Sequence, residues 1–336
     1  MSKKEKPKKK IEKPDLEAIN RSIFNAYPLD FKSDSLAAYV YLKYIMHFGY
    51  TMRKTIGYPY AEPEQKLDTG ISELMQMFVD QVCTRSFSKE TSIMHSKIVR
   101  TEDAKKLVSQ TQNMHLVPSE RIIPFKQTRE ILLENPTAIA VGRCTCRAGA
   151  EHACIPPSEQ NVCMFIGEPN VSFLLSQSQS FRKVTPKEAV KILEESHKAG
   201  FIHCAYFEKP CADKFNAICN CCPCCCIGMM NWKIFNSNDN PFVAPSGYIP
   251  DINKACNGCG QCVDSCPFMA LTVDENTQRP VVNLGRCMGC TICENKCPVG
   301  AIGYKLEPTI GDPLDIEALK IEAGITDENK KRSRVT

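Results

Sequence analysis

The chain has 336 residues, of which 43% are hydrophobic and 24% charged, with a net charge of +4 at pH 7. That hydrophobic share supports packed cores and excludes a wholly disordered chain, while the modest charge and the lack of aromatic residues among the lysines exclude an evident nucleic-acid binder. What departs from ordinary usage is the 21 cysteines, which only metal or disulfide bonds account for at this density.

Lys3, Lys4, Lys6, Lys8, Lys9, Lys10 and Lys13 are followed by Pro14 and acidic residues rather than by an apolar segment. No secretory leader is expected from that pattern, and residues 1–30 read as a solvated basic tail. The expected compartment is the reducing cytoplasm, where closely spaced cysteines serve as metal ligands more often than as disulfides. Asp34 and Ser35 offer N-caps for a helix over Leu36 to Phe48, with Gly49 as its stop. This longest apolar stretch is interrupted by Lys43 and is too short to span a bilayer. A second helix over Ile71 to Val82 sets Ile71, Leu74, Met75, Phe78 and Val82 at helical spacing, and Met75 and Met77 read as core filling. Cys83 reads as a buried apolar thiol. Residues 31–136 are therefore expected to form a mainly helical unit.

Residues 137–245 change character. A helix from about Gln127 to Glu134 is expected to end before Pro136, and Ala138 to Val141 suits a buried strand. Thr185 as N-cap, Pro186 at the first position and Glu188 closing a capping box predict a helix that Gly200 ends. Phe201 to Phe207 then reads as a strand. Strand, long loop, helix and strand suggest a small α/β unit, with a parallel crossover as the simplest version.

That unit carries ten candidate metal ligands. Cys144, Cys146, Cys154 and Cys163 lie between the first strand and the helix; Cys219, Cys221, Cys222, Cys224, Cys225 and Cys226 crowd one run after the second strand. Thiolates this dense repel one another and oxidise unless a soft metal neutralises them, so a further iron-sulfur cluster or a zinc ion is expected. Adjacent cysteines such as Cys221 and Cys222 point in different directions, so the six are not expected to serve one metal atom. Arg143 and Arg147 flank the first pair and offer positive charge to a centre or an anion, unless they are ordinary surface arginines. His152 and His203 stand beside Cys154 and Cys204, but cysteine is the expected ligand. Cys204 and Cys211 stay unassigned.

Residues 246–306 hold the sharpest pattern. Cys256, Cys259, Cys262 and Cys266, with Pro267, form C-x2-C-x2-C-x3-C-P; Cys287, Cys290, Cys293 and Cys297, with Pro298, repeat it at an offset of 31 residues (287 minus 256). The same offset matches Ala270 with Ala301 and Leu271 with Ile302. This internal duplication predicts two halves, each with a strand, a ligand loop and a brief helix, sharing one core about a pseudo-twofold axis. Three cysteines spaced by two residues wrap one face of an iron-sulfur cubane, and the fourth ligand must come from elsewhere. Paired zinc knuckles would need neither the third cysteine nor the proline.

The segment closely resembles the bacterial-type two-cluster [4Fe-4S] ferredoxins, in which the fourth cysteine of each run ligates the other run's cluster. That resemblance implies one cluster on Cys256, Cys259, Cys262 and Cys297, and a second on Cys287, Cys290, Cys293 and Cys266. Residues 122–304 together resemble cysteine-rich, ferredoxin-containing 4Fe-4S binding proteins of anaerobic microbes, through the CxCR element at Cys144 and the ICNCCxCCC element at Ile218. The second resemblance implies an iron-sulfur role for the upstream cysteines and names no activity. No Gly-rich strand-to-helix turn marks a nucleotide site, since Gly258-Cys259-Gly260 belongs to a ligand loop.

Beyond Tyr304, Pro308 and Pro313 mark a linker, and Asp315 to Ala323 predicts a terminal helix stopped by Gly324, before a basic tail. The expected fold is α+β: a helical N-terminal unit, a cysteine-rich α/β metal-binding unit, a ferredoxin domain, and residues 307–336 as linker, short helix and tail. The expected function is low-potential electron transfer with a redox partner protein. A redox enzyme with its substrate site at the upstream centre, and a structural or metal-assembly module holding zinc, are the alternatives. No catalytic residue, direction of electron flow or oligomeric state follows from the sequence.

Overall fold

The computed structural model describes residues 40–85, 94–125, 130–208 and 214–325. The basic tail, the Asp34 and Ser35 caps and Cys211 lie outside these residues. After a helical turn at residues 40–43 come helices α1 (Ile45–Thr55) and α2 (Thr69–Arg85). Gly49, expected to stop the first helix, lies inside α1. A Cβ there would collide with the carbonyl of Thr145, so the glycine permits close backbone approach rather than ending the helix. On α2, Met75, Phe78, Val79 and Val82 are buried, whereas Met77 is 60% exposed and fills no core.

Strand β1 (Met94–Ile98), α3 (Thr101–Val108) and β2 (Met114–Leu116) follow, so the stretch expected to be mainly helical supplies strands to the central sheet. The helix expected from about Gln127 is also corrected. Of its residues, 126–129 lie outside the described set, and Ile131 opens the long strand β3 (Ile131–Arg143). Pro136 does not break β3, because a register shift between Glu134 and Ile139 takes it up, with Asn135 in the left-handed region. Its register partner is β4 (Asn161–Glu168), reached through the short helix α4 (Thr145–Ala148).

Helix α5 (Asn170–Gln177), β5 (Phe181–Val184), α6 (Pro186–Lys198), β6 (Ile202–Glu208) and β7 (Lys214–Cys221) complete the strand-rich part. The α6 start is as the sequence indicates: Thr185 Oγ1 accepts from the Glu188 N–H at 3.2 Å. The Glu188 carboxylate turns to Arg182 instead, at 2.6 Å. Helix α7 (Ile227–Phe235) and β8 (Val243–Ala244) lead on. The eight-stranded sheet has the order β2-β3-β4-β7-β6-β1-β8, with β5 on β3. Every pairing between these strands is antiparallel except β1 with β8, so the parallel crossover expected between the strands at Ala138 and Phe201 is not formed.

Side chains alternate across this sheet. Ile139, Val141, Met164 and Ile166 join Ala104, Leu107 and Leu193 of α3 and α6 on one face; Ala138, Ala140 and Phe165 join Met52, Met75 and Phe78 of α1 and α2 on the other.

The remaining elements are β9 (Tyr248–Ile252), α8 (Gln261–Asp264), β10 (Leu271–Val273), β11 (Pro280–Val282), α9 (Ile292–Asn295) and β12 (Ile302–Leu306). β9 pairs antiparallel with β12, and β10 with β11. The terminal helix α10 (Ile316–Glu322) buries Ile316 and Leu319 in the core beside α3 and leaves Ile321 73% exposed. Lys106 with Asp315 at 3.2 Å and Gln110 with Glu317 at 2.8 Å fix it there. Among the described residues no helix is long and apolar enough to cross a membrane.

Candidate metal centres

Two ligand loops follow β9 and β11, and each feeds three cysteines into a short helix. Cys262 lies in α8 and Cys293 in α9, both buried. The fourth cysteine of each run sits just past its helix, where a backbone amide donates to its sulfur: Ala270 N–H to Cys266 Sγ at 3.3 Å, and Ala301 N–H to Cys297 Sγ at 3.2 Å. Cys266 then crosses over. It lines one cavity with Cys287, Cys290 and Cys293, walled by Pro250, Phe268 and Tyr304. Cys297, like Cys266, packs against the small apolar cluster that holds Cys262, Cys293, Leu271 and Ile302, where the two runs meet. Burial pushes the thiol of Cys287 up to about 11 and that of Cys293 to about 12. Bare thiolates are disfavoured there, so a positive centre is what would hold these sulfurs ionised.

The 4Fe-4S dicluster domain family matches residues 255–301. An uncharacterized ferredoxin of Methanocaldococcus jannaschii is 40% identical over 55 residues, which are 16% of this chain and 71% of that protein. The chain belongs to the ferredoxins. It is also similar to pyruvate synthase subunit PorD of the same organism, 42% identical over 50 residues (15% of this chain, 57% of the relative). Ferredoxin-1 of Caulobacter vibrioides is 36% identical over 74 residues (21% of this chain, 60% of the relative). The chain thus spans under two thirds of the length of these last two. Its ferredoxin-type domain is one part of a larger protein, and the chemistry of that part is iron-sulfur electron transfer.

The upstream cysteines are gathered by the sheet. Cys219 and Cys221 alternate on β7 and share one face, while the intervening Asn220 accepts from His203 Nδ1–H at 2.6 Å through its Oδ1 and donates to the Val162 carbonyl at 2.7 Å. Cys204 on β6 stands opposite Cys219, and Cys163 on β4 approaches Cys219 at 3.9 Å between sulfurs. Cys144 caps α4, Cys146 lies within it, and Cys226 caps α7. These side chains, except Cys204, line one cavity with about 80 Å³ of free space beneath Tyr41, Ile45, Phe48 and Met52. His203 is buried with Thr101 at 3.2 Å on its other nitrogen, so it is committed to polar contacts, and His152 is exposed. Cys83 is half-buried, 4.0 Å from the Met52 sulfur.

The remaining upstream cysteines, Cys154, Cys222, Cys224 and Cys225, gather in a second group with all four sulfurs within 4.8 Å of one another, and Cys222 lines the first cavity as well. Adjacent cysteines thus do converge here, because the turn after β7 folds Cys224 and Cys225 back toward Cys222. Arg53, buried, donates to the Cys225 carbonyl at 3.0 Å and so ties α1 to this turn. Arg147 is no surface arginine: it is 1% exposed, stacks 4.2 Å over the Phe201 ring and donates to the Asn220 carbonyl at 3.0 Å. Its charge lies between the two groups of thiols. Cys146 and Cys163, helped by Arg147, hold the Cys144 thiol well below its usual range. Cys225, again helped by Arg147, brings Cys222 down to about 5. Arg143 is partly buried and donates to the Gln160 carbonyl oxygen of its side chain at 3.0 Å.

Cys204 is the site residue that sequence reasoning left unassigned. It is fully buried, in contact with Cys221, and senses the charges of Cys226, Cys219 and Cys290. Its signal was present in the alternation of the expected strand, but only the β6–β7 register reveals what it faces. One apolar cluster contains Cys204, Cys221 and Cys226 together with Cys287, Met288, Trp232 and Phe268, with Cys266 and Cys290 packed against it. The upstream thiols therefore adjoin the second ligand group of the ferredoxin domain.

Proposed function

We propose that this chain is an electron-transfer protein that binds two [4Fe-4S] clusters, one on Cys256, Cys259, Cys262 and Cys297 and one on Cys287, Cys290, Cys293 and Cys266. The observation that carries the reading is the cavity shared by Cys266 with Cys287, Cys290 and Cys293. Together with the repeated strand, loop and helix order, it supports crossed ligation between two halves related by a pseudo-twofold axis. When bound, such clusters supply one-electron transfer at low potential, on the order of −400 mV by analogy with other all-thiolate ferredoxins.

The chain's own residues do the positioning. Ala270 and Ala301 donate backbone N–H groups to the crossing sulfurs, and Tyr304 lies 4.0 Å from Cys293 Sγ. Cys144, Cys146, Cys163, Cys219, Cys221 and Cys226, with Cys204 beside them, are the proposed ligands of a further centre. Its packing against the second ferredoxin group supports a relay between a redox partner protein and this centre. The test is anaerobic purification with iron and sulfide analysis: at least about eight irons per chain are expected, four for each of two cubanes, and fewer would sink the assignment.

A second reading is a redox enzyme with the upstream centre as its substrate site. Its support is the number of thiols, which exceeds what one four-iron cluster needs, under an apolar roof. The free space of about 80 Å³ compares with roughly 10–15 Å³ needed for a single water, so it admits a few water-sized groups and only a compact substrate would enter. An open iron position should shift its EPR signal when small ligands are added; a fully thiolate-ligated relay should not.

A further inference from the structure

The upstream cysteines divide by geometry into two kinds of site. Four sulfurs bound to a single metal at about 2.3 Å occupy the corners of a tetrahedron with edges of roughly 3.8 Å. In a four-iron cube each thiolate instead points outward from a different iron, so its sulfurs stand farther apart. Cys154, Cys222, Cys224 and Cys225 satisfy the first arrangement: all their sulfurs lie within 4.8 Å of one another, and those of Cys224 and Cys225 are 3.7 Å apart. Cys144, Cys146, Cys163, Cys219, Cys221 and Cys226, which line the larger cavity with Cys222, are strung along two strands and two helix starts, and among the described residues these six form no such compact group of four.

An independent feature points at the same place. Four thiolates around a divalent ion leave a net charge of minus two, which a buried site must offset. Arg147 is 1% exposed, and its Nε and Nη2 have no hydrogen-bond partner among the described residues, while Cys144 of the larger cavity and Cys222 and Cys154 of this group all act on its charge. A buried guanidinium with spare donors beside four converging thiols is what such a site requires. The local sequence explains the geometry. Pro223 starts a turn in which the Cys226 N–H donates to the Cys222 carbonyl at 3.2 Å, so that three cysteines of one run face the loop bearing Cys154.

We propose that Cys154, Cys222, Cys224 and Cys225 form a mononuclear tetrahedral site for one divalent thiophilic metal ion, distinct from any iron-sulfur centre of the chain. With four protein ligands and no open position the site is structural. It clamps the Cys154 loop to the turn before α7, and so holds in place the two segments that carry Cys144, Cys146 and Cys226.

The experiment uses the full chain, purified anaerobically, with total metals, acid-labile sulfide and metal-edge X-ray absorption measured on wild type, Cys154→Ser and Cys224→Ser. Both substituted side chains are exposed, which limits the damage to folding. Wild type should hold one ion, zinc or non-sulfide iron, beyond the iron that accompanies sulfide, with a single shell of four sulfurs and no metal neighbour. Each variant should lose that one ion and keep its sulfide and its cluster EPR signals. Loss of sulfide together with the ion, or no metal outside the sulfide-linked iron, would overturn the proposal. Where a variant fails to fold, wild type produced with cobalt in place of zinc gives the second measurement. Absorption bands of tetrahedral thiolate-bound cobalt are expected, and their absence counts against the site. The sulfide content of wild type decides the two-cluster reading separately.

Discussion

In the ferredoxin domain the thiols come from two loops that wrap a small volume, and in the crossed ligation proposed above each loop takes one sulfur from the other half. Upstream, the thiols come from neighbouring strands and the starts of two helices, so a sheet of eight strands fixes their positions. The difference is one of scaffold. A loop-built site gains much of its order from the metal, because folding and metal binding are linked when the ligands come from separate segments. A sheet-built site is ordered largely by backbone pairing and by the packing of α1 and α2 over it. Metal loss should therefore unravel the first region and leave the second standing as a pocket of thiols.

Removal of a crossing ligand should have the largest effect. Cys297→Ala should damage the cluster of Cys256, Cys259 and Cys262, giving a three-iron centre or none, although Cys297 follows the other run. Its EPR spectrum should match that of Cys259→Ala, while Cys266→Ala matches Cys290→Ala. A Cys297→Ala spectrum like that of Cys290→Ala would mean that each run holds its own metal.

Next in size is Arg147→Met, which tests whether the upstream region depends on charge as well as on its sheet. The substitution leaves a set of buried thiols without their nearby cation, and removing one partner of a buried charge set costs about 3–5 kcal/mol. Upstream metal content and the thermal midpoint should both fall, with the two ferredoxin EPR signals retained. Equal loss of all signals would show that the two regions do not hold metal independently.

How far each region could be read from sequence follows from the same contrast. The ferredoxin-type domain is legible because the spacing of its cysteines is a family signature in itself, and the duplication states it twice. Spacing could not sort Cys144, Cys146, Cys163, Cys219, Cys221 and Cys226 from Cys154, Cys222, Cys224 and Cys225, because strand register and one turn decide that division. Cys204 was missed for this reason: its neighbour is Cys219 across two strands, 15 residues away in sequence (219 minus 204). Local signals did well where the physics is local, as at the Thr185 cap. They failed at Gly49, where a tertiary contact overrides the usual role of glycine as a helix stop, and at Pro136, where a bulge absorbs what reads as a break.

The joint between the regions offers a smaller effect with a defined sign. Lys97 on β1 is 1% exposed and donates to the Pro245 carbonyl at 2.7 Å, between β8 and the first ferredoxin strand. Burial lowers its pKa from 10.5 to about 7. The unfolded chain keeps the proton up to the higher value, so the native state carries its full penalty below about pH 7 and gains stability as pH rises toward 10.5. Lys97→Met should remove that slope. At about pH 6 the variant should be more stable by roughly 2 kcal/mol, the relief of burial less the cost of an unpaired carbonyl. Near pH 10.5 the order should reverse, since only the lost hydrogen bond remains. Thermal midpoints of the anaerobic holoprotein across this range are the measurement, and parallel curves would show that Lys97 is not neutral at high pH.

The smallest expected change concerns tuning within the ferredoxin domain. Tyr304 lies 4.0 Å from Cys293 Sγ, and burial raises its own pKa, so its hydroxyl stays protonated and available as a donor. A hydrogen bond to a ligand sulfur favours the reduced, more negative state of a cluster and raises its potential. Tyr304→Phe removes the hydroxyl and keeps the ring in the cavity wall. At this long contact the differential interaction is roughly 1 kcal/mol at most, which is about 40 mV for one electron. Redox titration followed by EPR should show the cluster of Cys287, Cys290, Cys293 and Cys266 shifted to more negative potential by up to that amount, with the other cluster unmoved. A shift of equal size in both clusters would mean that the variant alters solvent access to the whole domain rather than one sulfur, and no shift would show that the hydroxyl does not donate to Cys293.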